Sequence, residues 1–127
     1  MSLRIYRTML TPEHLGQAVE LWFKRRGFET QRLRDETGVV VQARKGGTWA
    51  QVAGMSAAFT VHLRPREEGV EVSTQITRWL DKAAAGAAGV LIFSPLMLTA
   101  GWGIYQQNKL KEELLTFLEY YVAEVGS

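Results

Sequence analysis

The chain has no cysteine, only two histidines and only three prolines in 127 residues. The missing thiol excludes disulfide scaffolds, cysteine-ligated zinc, iron–sulfur clusters and thiol catalysis together. His14 and His62 have no Ser, Asp or Glu at a spacing that specifies a triad, and form no His-x-x-x-His or His-Glu-x-x-His pair for a metal. Both are read as solvated, so no enzyme activity and no cofactor is expected. The start, Met1-Ser-Leu-Arg-Ile-Tyr-Arg, interleaves arginine with apolar residues and offers no apolar h-region of a secretory signal. A cytoplasmic location follows as the expectation, with the inner face of the membrane as its closest approach to lipid.

Two glycine-bearing segments also fall short of the chemistry they suggest. Arg44-Lys45-Gly46-Gly47-Thr48 lacks the Gly-x-x-x-x-Gly-Lys-Ser/Thr spacing of a phosphate loop, and Gly101-Trp102-Gly103 lacks the third glycine and the preceding strand of a dinucleotide fingerprint. The adjacent carboxylates Asp35-Glu36 and Glu67-Glu68 lie in turn-forming clusters, where charge faces solvent and nothing in the pattern suggests the burial that acid–base work needs.

What is present is a globular composition, 46% apolar and 22% charged, in a chain of the size of one domain. Residues 1–80 read as an α+β head and 81–127 as a helical part. Net charge is only +2, yet residues 1–66 hold eleven Lys/Arg against five Asp/Glu and residues 67–127 hold four against eight. Within the basic half, Lys24, Arg25, Arg26, Arg44 and Lys45 are a candidate anion-binding patch, set against the simpler reading of a solvated rim.

Residues 3–10 read as a strand that ends at Thr11-Pro12, a hydroxyl N-cap followed by a first-turn proline. Leu15, Ala18, Val19, Trp22 and Phe23 then recur at helical spacing, basic residues crowd the last turn, and Gly27 closes it. Strands are expected at 28–34, 39–45, 48–53, 57–64 and from 70 to about 79, an antiparallel meander of four to five strands. In 57–64, Phe59, Val61 and Leu63 share one face, with Thr60, His62 and Arg64 on the other, which reads as wet. The last helix carries Leu110, Leu114, Phe117, Leu118, Tyr121, Val122 and Val125 on one stripe.

The stretch 83–105 (AAAGAAGVLIFSPLMLTAGWGIY) has no charged side chain over twenty-three residues, more than the ~20 that span a bilayer core. Ser94-Pro95 repeats the helix-start signal of Thr11-Pro12 and divides the stretch, which therefore reads as an apolar helical hairpin starting near Asp81. Its association face would hold Ala84, Ala88, Val90, Leu91, Phe93, Pro95, Leu96, Leu98 and Trp102. Burial in the chain's own domain, pairing with another copy, insertion in lipid and a ligand tunnel all remain open.

From Trp22-Phe23 to Gly27-Phe28-Glu29-Thr30-Gln31, through Val41-Gln42-Ala43-Arg44-Lys45-Gly46-Gly47-Thr48-Trp49 and Gly54-Met55, then Trp79-Leu80-Asp81-Lys82, Pro95-Leu96, Gly101 and Gln106, the chain resembles an uncharacterised bacterial family often joined to a zinc ribbon. The resemblance implies a globular module without an assigned activity, here lacking the ribbon because no cysteine exists to form one. In element order the chain also resembles helix-grip proteins, which implies a carrier of a small hydrophobic ligand. The leading expectation is a non-enzymatic interaction module that self-associates or meets a membrane through the hairpin. Its expected partners are a second copy of the chain, an anionic membrane surface or a small hydrophobic ligand, with nucleic acid the weakest fit.

Overall fold

Thr11 starts the first helix by accepting the His14 backbone N–H, with Pro12 in the first turn, where a missing N–H costs nothing. The helix, α1 (Pro12–Arg25), ends at Gly27, whose φ of 85° suits a residue without a Cβ. The computed structural model describes residues 2–45, 57–80 and 101–126. Within them, strand β1 (Ser2–Arg7) precedes α1, and β2 (Glu29–Asp35), β3 (Gly38–Arg44), β4 (Ala57–Arg66), β5 (Gly69–Arg78) and the helix α2 (Gly101–Val125) follow.

The five strands form one antiparallel sheet in the order β1-β5-β4-β3-β2. The four later strands neighbour one another in sequence order, whereas β1 joins the far side of β5. Helix α1 therefore carries the chain from one edge of the sheet to the other. At the β2–β3 turn, Asp35 Oδ1 accepts from the Thr37 N–H, the Thr37 hydroxyl and the Gly38 N–H. Gly38 must be glycine: its φ is 149°, and a Cβ there would lie 2.2 Å from the Leu63 carbonyl oxygen.

Alternation along the strands puts Val39, Val41, Phe59, Val61, Leu63, Val70, Val72 and Ile76 into one core with Leu15, Val19 and Phe23 of α1 and Leu114, Leu115, Leu118 and Val122 of α2. Phe23 and Phe59 have ring centroids 5.6 Å apart, which joins helix to sheet at the centre of this layer.

The apolar helical hairpin expected for 83–105 is not the architecture found: the described elements are five strands of one sheet and two helices. Residues 101–105 run without a break into α2, a single helix of 25 residues. Beyond residue 105 the apolar stripe of α2, with Leu114, Leu115, Leu118 and Val122, packs on the sheet core, so the sheet supplies the cover for this helix. Asp81, residues 83–100 with Ser94-Pro95, and the strand expected at 48–53 lie outside the described residues. No helix among the described residues is long and apolar enough to cross a membrane. Helix α2 carries Lys109, Lys111, Glu112, Glu113, Glu119 and Glu124 along its length.

The second face of β4 departs from expectation too. The alternation predicts a wet face for Thr60 and His62, yet they are 1% and 8% exposed. Their polarity is met by neighbouring side chains rather than by bulk water.

Candidate functional site

Helices α1 and α2 meet along a row of aromatic side chains whose outer end opens to solvent. Glu113, Thr116, Phe117 and Tyr120 follow the spacing that puts helical residues on one face. Trp22 and Arg26, four apart, come from the end of α1. With Glu112 they line an open groove of about 420 Å³.

Its geometry is set by stacking and charge. The Trp22 ring lies 28° from parallel to Phe117 with centroids 6.1 Å apart, and meets Phe23 edge-on at 5.1 Å. The Arg26 guanidinium sits 4.1 Å from the Trp22 ring centroid and pairs with Glu113. Arg26 thus clasps α1 to α2 through one cation–π contact and one ion pair. Tyr120 stands 70% exposed at the rim. Glu112 is also exposed, with the Lys111 ammonium 3.6 Å away, but Lys111 does not line the groove.

The residues of the expected anion patch are placed individually. Arg26 is held as above. Arg44 forms a two-pronged pair with Glu29 and lies 4.0 Å from the Trp79 ring centroid. Lys45 donates to the Arg26 carbonyl and lies 5.2 Å from the Phe28 ring centroid. Lys24 and Arg25 project from the exposed last turn of α1. Arg32 and Arg34, nearby, are paired with Glu20 and Glu13. The cations are thus spread over separate carboxylate, carbonyl and ring partners. Of the expected association face, only Trp102 falls within the described backbone, in the first turn of α2; Ala84, Ala88, Val90, Leu91, Phe93, Pro95, Leu96 and Leu98 lie outside it.

On the sheet face away from the helices, polar groups are buried together. Gln31 donates to Gln42 Oε1 at 2.8 Å and to the Leu80 carbonyl at 2.7 Å, while Gln42 Oε1 also accepts the Leu80 N–H at 2.8 Å. The Gln42 amide donates to Thr60, Thr77 and the Arg78 carbonyl. Two glutamine side chains thus hold the backbone of Leu80 as a neighbouring strand would. Further along the sheet, Glu71 is 6% exposed and accepts from Arg64 and Arg66. The hydrogen bond from Arg66 leads in holding its carboxyl below the ordinary range, against the opposing effect of burial. Arg64 also donates to His62 Nδ1 at 3.1 Å. Burial, reinforced by the Arg64 charge and opposed by Asp35, lowers the His62 pKa and keeps the ring neutral.

His14, by contrast, is exposed as expected and hydrogen-bonds the Tyr121 hydroxyl at 2.6 Å. Among the described residues no group of His, Cys, Asp or Glu could hold a metal ion. In the sequence Trp22 and Phe117 fall on core stripes and Tyr120 falls off them; the signal for the groove is Arg26 four residues after Trp22.

A single five-stranded sheet with both described helices on one face and an aromatic groove between them defines the class of this protein at the level of its fold. No family model, no curated protein and no solved structure matches the chain.

Proposed function

We propose that the protein is a non-enzymatic interaction module that takes a short peptide segment, basic and partly apolar, into the α1–α2 groove. The supporting observation is the aromatic surface formed by exposed Tyr120 with the half-buried Trp22 and Phe117, bordered by two carboxylates against one guanidinium. Aromatic faces and carboxylates together favour a cation carried beside apolar atoms. Arg26 is the internal example, its guanidinium resting on the indole with a carboxylate at its edge. A partner's Lys or Arg would meet Glu112 and the Tyr120 face while its apolar neighbour covers Phe117.

The test is a heteronuclear NMR titration of the whole chain with three short peptides of equal length, one Arg/Leu-rich, one Glu/Leu-rich and one Ser/Gly-rich. The basic peptide is expected to shift the Trp22 indole and the amides of residues 112–120, and Tyr120→Ala combined with Glu112→Lys should abolish the shifts. Equal response to all three peptides, or shifts elsewhere on the surface, would overturn the reading.

A further inference from the structure

The outer edge of the sheet at β1 is bare of any strand among the described residues. Its side chains do not have the pattern of a protected edge. Leu3 and Ile5 are 56% and 52% exposed, on the sheet face away from the helices, opposite Ser73 and Glu71 of β5. An edge that shows alternating large apolar side chains is a template for another strand. Charge guards such edges in many proteins, and here Arg4 and Arg7 fall on the same strand. Both guards are neutralised, Arg4 by Glu119 at 2.8 Å and Arg7 by Glu68 at 3.5 Å.

We infer that β1 pairs antiparallel with β1 of a second copy, joining two sheets into one across a two-fold axis that passes through Arg4. Antiparallel partners directly opposite one another point to the same face, so only registers that match odd positions with odd are allowed. Centring on Ile5 would set Leu3 against Arg7 of the other copy, and centring on Leu3 would set Ile5 against Met1. Centring on Arg4 sets Leu3 against Ile5 twice, and the four exposed apolar side chains become one patch. On the helix side, this register brings the two Arg4 side chains together, an unfavourable arrangement if they were bare. Each arrives with its own Glu119, so the axis is surrounded by alternating charges of net zero. That complementarity of the edge with itself points to a copy of the chain rather than to an unrelated strand. The surface is distinct from the α1–α2 groove, and its failure leaves the groove reading untouched.

The experiment uses the full chain. Sedimentation over a range of concentrations should show a species of twice the 14.3 kDa chain mass. Leu3→Lys combined with Ile5→Lys should raise the dissociation constant at least about tenfold, since two cross-strand apolar pairs are lost. Circular dichroism of that variant is expected to match the parent, because both side chains are already half exposed. Because the chain has no cysteine, a single one reports the register: Arg4→Cys should oxidise to a disulfide-linked dimer, and faster than Leu3→Cys or Ile5→Cys. A monomer at every concentration, a dimer indifferent to the two lysines, or fastest cross-linking at position 3 or 5 overturns the inference.

Discussion

The Tyr6 hydroxyl donates to the Leu115 carbonyl at 3.1 Å, tying the first strand to the last helix across 109 residues of chain. The bond is buried, and burial, opposed by Arg4, raises the phenol's pKa above its ordinary value. Tyr6→Phe keeps the ring in the core and removes only the bond. It is expected to cost about 0.5–1.5 kcal/mol in urea denaturation, with hydrogen-exchange protection lost first in β1.

Gly69 pairs with Arg7 at the start of β5, where a Cβ would lie 1.9 Å from the Tyr6 carbonyl oxygen. Backbone cannot yield as a flexible side chain does. Gly69→Ala should therefore push β1 off β5, lowering stability by about 1–3 kcal/mol, the usual cost of overpacking. Amide spectra should place the disturbance in β1 and β5 and leave β2 and β3 unchanged.

Gln42 joins β3 to Thr60, Thr77, Arg78 and Leu80 while itself 0% exposed. Gln42→Leu fills similar space and strands several buried partners at once. Since each unsatisfied buried group costs about 1–3 kcal/mol, the total loss should exceed that of Tyr6→Phe. A smaller loss would mean that Leu80 is held by other contacts.

Two buried groups set the acid side of the stability profile. His62 and Glu71 both have folded-state pKa values below their ordinary ones. For each, the unfolded chain binds the proton first as pH falls, so the stability is intact above the unfolded pKa and lost down through the folded one. The first decline begins below about 6.5 and belongs to His62; the second begins below about 4.5 and belongs to Glu71. Thermal melts against pH should show both, His62→Gln should remove the upper step, and Glu71→Gln should remove the lower one. At neutral pH, Glu71→Gln should also lose about 1–3 kcal/mol from its charged hydrogen bonds.

Local chemistry was legible where a few adjacent residues decide the outcome. Thr11 and Pro12 announce α1, Asp35 to Gly38 announce a turn, and the alternation of Phe59, Val61 and Leu63 marks the core face of β4. The fate of Thr60 and His62 is not, because burial of a polar side chain depends on its surroundings in the folded sheet: Thr60 meets Gln42 and Thr77 of the two flanking strands, and His62 meets Arg64 on its own strand. The hairpin read from 83–105 failed for a related reason. Absence of charge shows that a segment wants cover but not which element supplies it, and the residues of α2 that pack on the sheet, Leu114, Leu115, Leu118 and Val122, lie beyond that stretch. The groove was hidden likewise, since Trp22 and Phe117 look like ordinary core positions until the ends of two helices are seen side by side.

The placement of β1 bears on how the chain assembles in time. Strands β2 and β3, and β4 and β5, meet through turns at Glu36-Thr37 and Glu67-Glu68, whereas Ser2 must find Thr74. The hairpins close quickly and β1 docks after a far longer loop closure. A chain whose first strand is late or has opened presents the side of β5 that β1 should occupy, and that gap is identical in every copy. At high concentration a neighbour's β1 can fill it, so strand exchange is the misassembly this topology invites. The links from Tyr6 to Leu115 and from Thr8 to Gly126 join the pairing with β5 in holding the docked strand and so oppose the opening that exchange requires.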